Sequence, residues 1–227
     1  QARLTSTRFP GKVLKKISSK TLIEHVNDYC KYNFDDNYIF AIPNTDGNDK
    51  LFNFLKTNNF PTYRGEENNV LKRYRDIIKK FQPEFFIRIT SDNPYKCPQI
   101  IDEMVDTFIK NKMKVLTNSV FKTFPLGLEI EIVDSDYFLS GTAGFSRSSY
   151  LEHVTLGIYN EFASDVKHFM TSSNNSDIRL TIDHERDLIL IKKINEKINN
   201  QANYSEILEH FNQITKSNRN TGDYYIK

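Results

Sequence analysis

Short apolar runs alternate along this chain with segments whose apolar residues recur at helical spacing, and few architectures accept that alternation. Residues 38–42 form an apolar run closed by Pro43-Asn44, as expected for a strand running into a turn. Residues 60–63, 85–90 and 178–182 are further runs of this kind. Between them stand helical patterns. Thr21-Leu22-Ile23-Glu24 reads as a capping box, followed by Ile23, Val26 and Tyr29 or Cys30 on one face. Asp46 opens a second helix, with Leu51, Phe54 and Leu55 on one side. Val70, Leu71, Tyr74, Ile77, Ile78 and Phe81 mark a third. Pro98 suits a first helical turn, and Ile101, Met104, Val105 and Phe108 follow it. Leu188, Ile191, Ile194 and Ile198 line a last long helix. A final helical stretch covers 204–215, before a polar tail expected to fray.

Strands alternating with helices predict an α/β fold with a doubly wound, mainly parallel sheet. Residues 114–133 look richer in strand. Residues 134–171 mix both patterns and read as an arm over the sheet. The 227 residues suit one domain with a small insertion.

Bulk properties narrow the function classes. Charged residues make up 26% of the chain, yet the net charge is only +2. No global field attracts nucleic acid, so any anion site is local. No apolar run reaches the length of a membrane span, and no signal peptide stands at the start. Cys30 and Cys97 form neither a metal pattern nor a disulfide framework. A reducing, cytoplasmic setting is expected. Residue 1 is Gln rather than Met, which suggests a trimmed start.

In open α/β sheets ligands gather beyond the carboxyl ends of the strands, which draws attention to three loops. The opening segment 1–12 carries Arg3, Arg8 and Lys12 around Pro10-Gly11. Such cations suit a triphosphate, whose reaction builds charge on the leaving oxygens. A solvated basic loop is the plain alternative. The segment is neither a P-loop nor a dinucleotide fingerprint. The second loop, Arg88 to Pro94, places Asp92 after an apolar run, where a carboxylate can take Mg²⁺ or simply start a turn. In the third, Asp183 ends another apolar run and can also serve as N-cap of the last long helix. Glu129 and Glu131 alternate with apolar residues, so both are expected on one strand face, reading sugar hydroxyls or facing water. Ser149-Tyr150-Leu151-Glu152 fits a capping box that accounts for Glu152, and His153 beside it reads as a packed or surface residue.

Several segments, in order, resemble the spore-coat-polysaccharide cytidylyltransferase family, relatives of the CMP-3-deoxy-manno-octulosonate and CMP-acylneuraminate synthetases. They are Gln1 to Leu14; Gly65 to Tyr74; Arg88 to Pro94; Pro125 to Glu131; Glu152 to Thr155; and Arg179 to Asp187. Together they span nearly the whole chain. The resemblance implies a nucleotide-diphospho-sugar transferase-like fold, CTP and a sugar acid as substrates, Mg²⁺ as cofactor, and a homodimer formed through an arm at 120–165. It implies that Ala2, Arg3, Ser6, Arg8, Lys12, Arg73, Thr90 and Ser91 bind the nucleotide. Arg8, Lys12 and Asp92 would carry catalysis, Asp92 and Asp183 the metal, and Arg88, Glu129 and His153 the sugar.

Two departures stand out. The family's usual Asp-Thr-Pro-Glu-Asp reads Asp183-His184-Glu185-Arg186-Asp187, and Leu126 replaces an Asp before Gly127. The family's first strand is also missing ahead of Gln1. Two rivals remain open: a Mg²⁺-dependent glycosyltransferase of similar sheet architecture, and a non-catalytic nucleotide-binding relative. Asp92-Asn93-Pro94 lacks the Asp-x-Asp pair of the first, and the four retained residues Arg8, Lys12, Asp92 and Asp183 argue against the second.

Overall fold

A computed structural model of the chain describes residues 1–198 and 202–219, with side chains as far as 215. The tail expected to fray after 215 continues the last helix as far as 219, and from 220 onward it lies outside the described residues. The opening loop leads through a single 3₁₀ turn at Lys12–Leu14 into a tight antiparallel pair, β1 (Lys16–Ile17) and β2 (Lys20–Thr21). Helix α1 (Leu22–Phe34) starts on the expected box: Thr21 accepts from the Glu24 amide, and Glu24 reaches back to the Thr21 amide. Strand β3 (Phe40–Pro43) follows. Asp46 opens a 3₁₀ turn rather than the helix itself, and α2 runs Asp49–Thr57. Strand β4 (Thr62–Gly65) pairs parallel with β3, and α3 (Val70–Phe81) follows it with its N-cap on Asn69.

Strand β5 (Phe85–Arg88), helix α4 (Pro98–Lys110), strand β6 (Val115–Thr117) and strand β7 (Glu131–Asp134) come next. The arm region holds α5 (Ser135–Gly141), α6 (Ser148–Glu152), α7 (Leu156–Glu161) and strand β8 (Val166–His168). The chain then ends in α8 (Glu185–Asn195) and α9 (Tyr204–Arg219). The larger sheet has the order β5-β7-β6-β8, with β6 and β8 parallel and β7 antiparallel to both neighbours. The sheet is therefore mixed. Between β6 and β7 the chain turns back through 118–130 without a crossover helix, and a direct return can only give an antiparallel neighbour. The first two residues join β3 to the loop after β5, because the Ala2 amide donates to the Ala41 carbonyl and the Ser91 amide to the Gln1 carbonyl.

Alternation along β6 and β7 builds a core on each face of the sheet. Leu116 and Ile132 enter one cluster with α1, α4 and α8; Val115 and Val133 enter another with α3, Phe138 and Ile158. Helices on both faces are what doubly wound packing requires. Residues 178–182, read as a strand, form only a single bridge, Leu126 to Arg179. Two amide bonds hold it: Leu126 donates to Ile178, and Leu180 donates to Leu126. This short tie brings residue 183 to the sheet's edge.

Candidate active site

The site begins with the opening loop. Gly11 stands at φ 70°, a left-handed conformation that glycine adopts without strain. Its amide donates to the Leu4 carbonyl at 2.9 Å and closes residues 4–11 into a compact turn. Buried Asn48 accepts the Leu4 amide at 2.8 Å, and Thr5 donates to Glu67 at 2.8 Å. The loop is thereby held by its neighbours, and Arg3 and Arg8 stay exposed.

Lys12 points inward instead. Its ammonium donates to Asp92 Oδ2 at 2.9 Å, to Asp183 Oδ1 at 3.0 Å and to the Ile182 carbonyl at 2.8 Å. All three ammonium hydrogens are engaged. Arg8 adds a bond to the same Asp183 oxygen at 3.0 Å. The Ile182 amide donates to the Asp92 carbonyl, so the two carboxylate loops also meet through their backbones. Burial pushes Asp92 up, but the Lys12 charge and hydrogen bond outweigh that and hold its carboxyl below the ordinary range. Asp183 is governed the same way: burial raises it, and bonds from Lys12 and Arg179 bring it lower than usual.

Asp183 is free for these contacts because it does not cap α8. That helix starts at Glu185 with His184 in the N-cap position, and Asp187 reaches back, its Oδ2 accepting the amides of Asp183 and His184 at 2.8 Å each. The N-cap alternative for Asp183 is thus corrected. Arg179 then grips Asp183 Oδ2 at 2.6 Å and reaches Asp187 Oδ1 at 3.4 Å. The sequence pattern assigns Arg179 no role, because i, i+4 spacing brings side chains together only on a helix and residues 178–182 are not helical.

The remaining residues singled out from the sequence divide by what they touch. Ala2 is buried against β3. Ser6 lies on the opening loop, partly exposed. Thr90 accepts from Asn93 at 2.8 Å and Ser91 is buried, so both shape the turn that presents Asp92. Arg73 is buried and donates to the carbonyls of Glu66 and Glu67, holding the loop beneath Thr5. Arg88 pairs with Glu131 across the β5–β7 register. Glu131 also accepts from Thr155 at 2.6 Å and from Tyr159. The expectation that Glu129 and Glu131 share one strand face fails, because β7 begins at Glu131 and Glu129 precedes it; Glu131 is buried in this network rather than facing water. Glu129 instead accepts the Gly127 amide at 2.7 Å. The box at Ser149 is also corrected: α6 begins at Ser148, Arg147 is its N-cap, and Glu152 faces Arg3 at 3.8 Å. That ion pair brings exposed His153 to the rim of the opening loop.

Asp92 and Asp183 supply two hard oxygen donors converging on one point, a set suited to Mg²⁺, which commonly keeps waters and substrate phosphates as its other ligands. Among the described residues no group of three or more His, Cys, Asp or Glu side chains could hold a metal without such help. Chemically, the arrangement offers two cations, Lys12 and Arg8, beside paired carboxylates, an equipment suited to a polyphosphate.

Comparison with known proteins agrees. A family model described as cytidylyltransferase matches residues 1–211. The spore coat polysaccharide biosynthesis protein SpsF of Bacillus subtilis is 30% identical over 214 residues, covering 90% of this chain and 88% of that protein. The structure of a cytidylyltransferase from Leptospira borgpetersenii superposes with a TM-score of 0.89 at 25% identity, over 95% of this chain and 93% of that one. A CMP:2-keto-3-deoxy-manno-octonic acid synthetase in complex with CTP shares the fold, with a TM-score of 0.61 at 14% identity over 84% and 94% of the chains. Among the described residues no helix is long and apolar enough to cross a membrane.

Proposed function

The chain belongs to the cytidylyltransferase family, and from that membership we propose that it transfers CMP from CTP to a sugar acid of the ulosonic or nonulosonic type, releasing pyrophosphate. The observation that carries the proposal is the contact of one ammonium, Lys12, with both Asp92 and Asp183. The sugar-acid class rests on the resemblance of the opening segment, Gln1 to Leu14. A role in surface polysaccharide or glycan synthesis is supported by the similarity to the spore coat protein.

In this reading the triphosphate lies along the opening loop, with Ala2, Arg3, Ser6, Thr90 and Ser91 around the nucleotide. The acceptor hydroxyl attacks the α-phosphorus. The bond to the acceptor oxygen forms as the bond to the pyrophosphate oxygen breaks, and the hydroxyl proton passes to solvent water. Arg8, exposed and held by one carboxylate oxygen, is free to turn onto the phosphates, and Lys12 faces the charge growing on the leaving group. No covalent enzyme intermediate is needed, since positioning and electrostatics can carry such transfers. Mg²⁺ would be held by Asp92 and Asp183, where it would offset α-phosphate charge and acidify a bound hydroxyl. Glu129 and His153 are assigned to the acceptor side. Arg73 and Arg88, both engaged in the interior, are assigned to holding the loops and strands around the ligands.

We extend the reading to a cytoplasmic homodimer formed through residues 120–165, a region that leaves Val120 and Phe121 exposed. The test is to incubate the protein with CTP, Mg²⁺ and a panel of ulosonic and nonulosonic acids, and to look for the CMP ester by mass spectrometry. A CMP-sugar acid supports the proposal; CMP esters of neutral sugars alone would remove the acid from it.

A further inference from the structure

Lys96 is a buried cation that neither the family motifs nor the chemistry above employs. It lies four residues beyond Asp92, and only 3% of its surface is exposed. Its ammonium donates to the Gly127 carbonyl at 2.7 Å and the Glu129 carbonyl at 3.0 Å. Burying a charge on two backbone carbonyls is a costly way to fill a core, so the geometry calls for a reason.

The turn it grips has little slack. Gly127 adopts φ 113°, and a side chain there would meet the Leu180 backbone at 2.9 Å and the Thr181 amide at 3.0 Å. Its amide is taken by the Glu129 carboxylate. On the other side, Leu126 exchanges bonds with Ile178 and Leu180. The turn is therefore clamped between the segment leading to Asp183 and the loop that carries Asp92, and Lys96 is the link to the latter.

We propose that Lys96 is a positioning residue for the acceptor half of the site, holding the 125–129 turn, and with it Glu129, in register with the Asp92 loop. The proposal rests on the reading that the acceptor meets Glu129. Burial pushes the Lys96 ammonium down to about 8 against the opposing pull of Glu129 and Glu131 beyond the turn, Asp92 on its own loop and Cys30 on α1. Loss of that charge in mild alkali would loosen the grip.

The test compares wild type with Lys96→Met and Lys96→Arg. Methionine keeps the apolar stem and removes a buried charge, so the variant is expected to fold. Acceptor KM, read with whichever sugar acid of the panel is turned over, should rise about tenfold to a hundredfold in Lys96→Met, with CTP KM within about twofold of wild type. Arginine should restore part of the loss. Wild-type acceptor KM should climb as pH passes about 8, and that climb should vanish in Lys96→Met. Unchanged acceptor KM in Lys96→Met would overturn the proposal. If no acid of the panel is a substrate, the proposed function falls and hydrogen exchange judges the clamp alone. Faster exchange of amides 126–131 in Lys96→Met, with CTP affinity retained by calorimetry, supports it; unchanged exchange overturns it.

Discussion

Lys12 Nζ and Asp183 Oδ1 stand 3.0 Å apart although 171 positions separate them in the chain. The contact exists because the opening turn enters the site from one side while the Leu126–Arg179 bridge delivers the other carboxylate loop.

Removing the ammonium should be severe. Lys12→Met is expected to lower kcat about 10²–10³-fold, the usual effect of deleting one preorganised donor. Steady-state turnover of CTP with its acceptor reads this directly, and near-normal kcat would take Lys12 out of the chemistry.

Asp92 is the more exposed of the two carboxylates, at 29% of its side chain against 11% for Asp183. Asp92→Asn keeps the shape and halves the anionic charge offered to a cation. The Mg²⁺ concentration giving half-maximal rate should rise strongly. An unchanged Mg²⁺ titration would separate Asp92 from the metal.

Arg179 donates to Asp183 Oδ2 at 2.6 Å and has no assigned contact with the proposed substrates. Arg179→Met should therefore act through Asp183, lowering kcat more than it raises CTP KM. Arg179→Lys should recover part of the rate, and equal losses in both variants would contradict a positioning role.

Glu131 makes a stability prediction whose sign can be worked out. Burial raises its carboxyl, but the Arg88 charge and the Thr155 and Tyr159 hydroxyls outweigh that and hold it below its ordinary value of 4.5. A depressed folded value contributes stability that is complete above the unfolded value and is lost as pH falls through the folded one. Unfolding midpoints should drop on acidification below about 4.5, and Glu131→Gln should flatten that drop. Arg88→Met, which strands a buried carboxylate, should cost about 3–5 kcal/mol at neutral pH.

Much of this was legible in the residues themselves. Asp92 and Asp183 each follow an apolar run, so their place beyond strand-like segments could be read from polarity alone, and Thr21 with Glu24 announced α1. Other features depend on contacts between distant segments. Local spacing makes Asp183 a helix-cap candidate and cannot show that His184 holds the N-cap position, with Asp187 reaching back to its amide. Ser149 fitted a capping box that α6 bypasses by starting one residue earlier. Glu131 had the alternation of an exposed strand face, yet its register partner Arg88 draws it into the interior. Lys96 carried no local signal, since its partners are carbonyls some thirty residues away.

The most direct measurement is pyrophosphate release by the purified chain with Mg²⁺, with CTP, UTP, ATP and GTP each tested with and without the sugar-acid panel, and Lys12→Met run in parallel. Release should need both CTP and a sugar acid and should collapse in Lys12→Met. Release from CTP that is indifferent to every acid, or that persists unchanged in Lys12→Met, would contradict the proposed transfer.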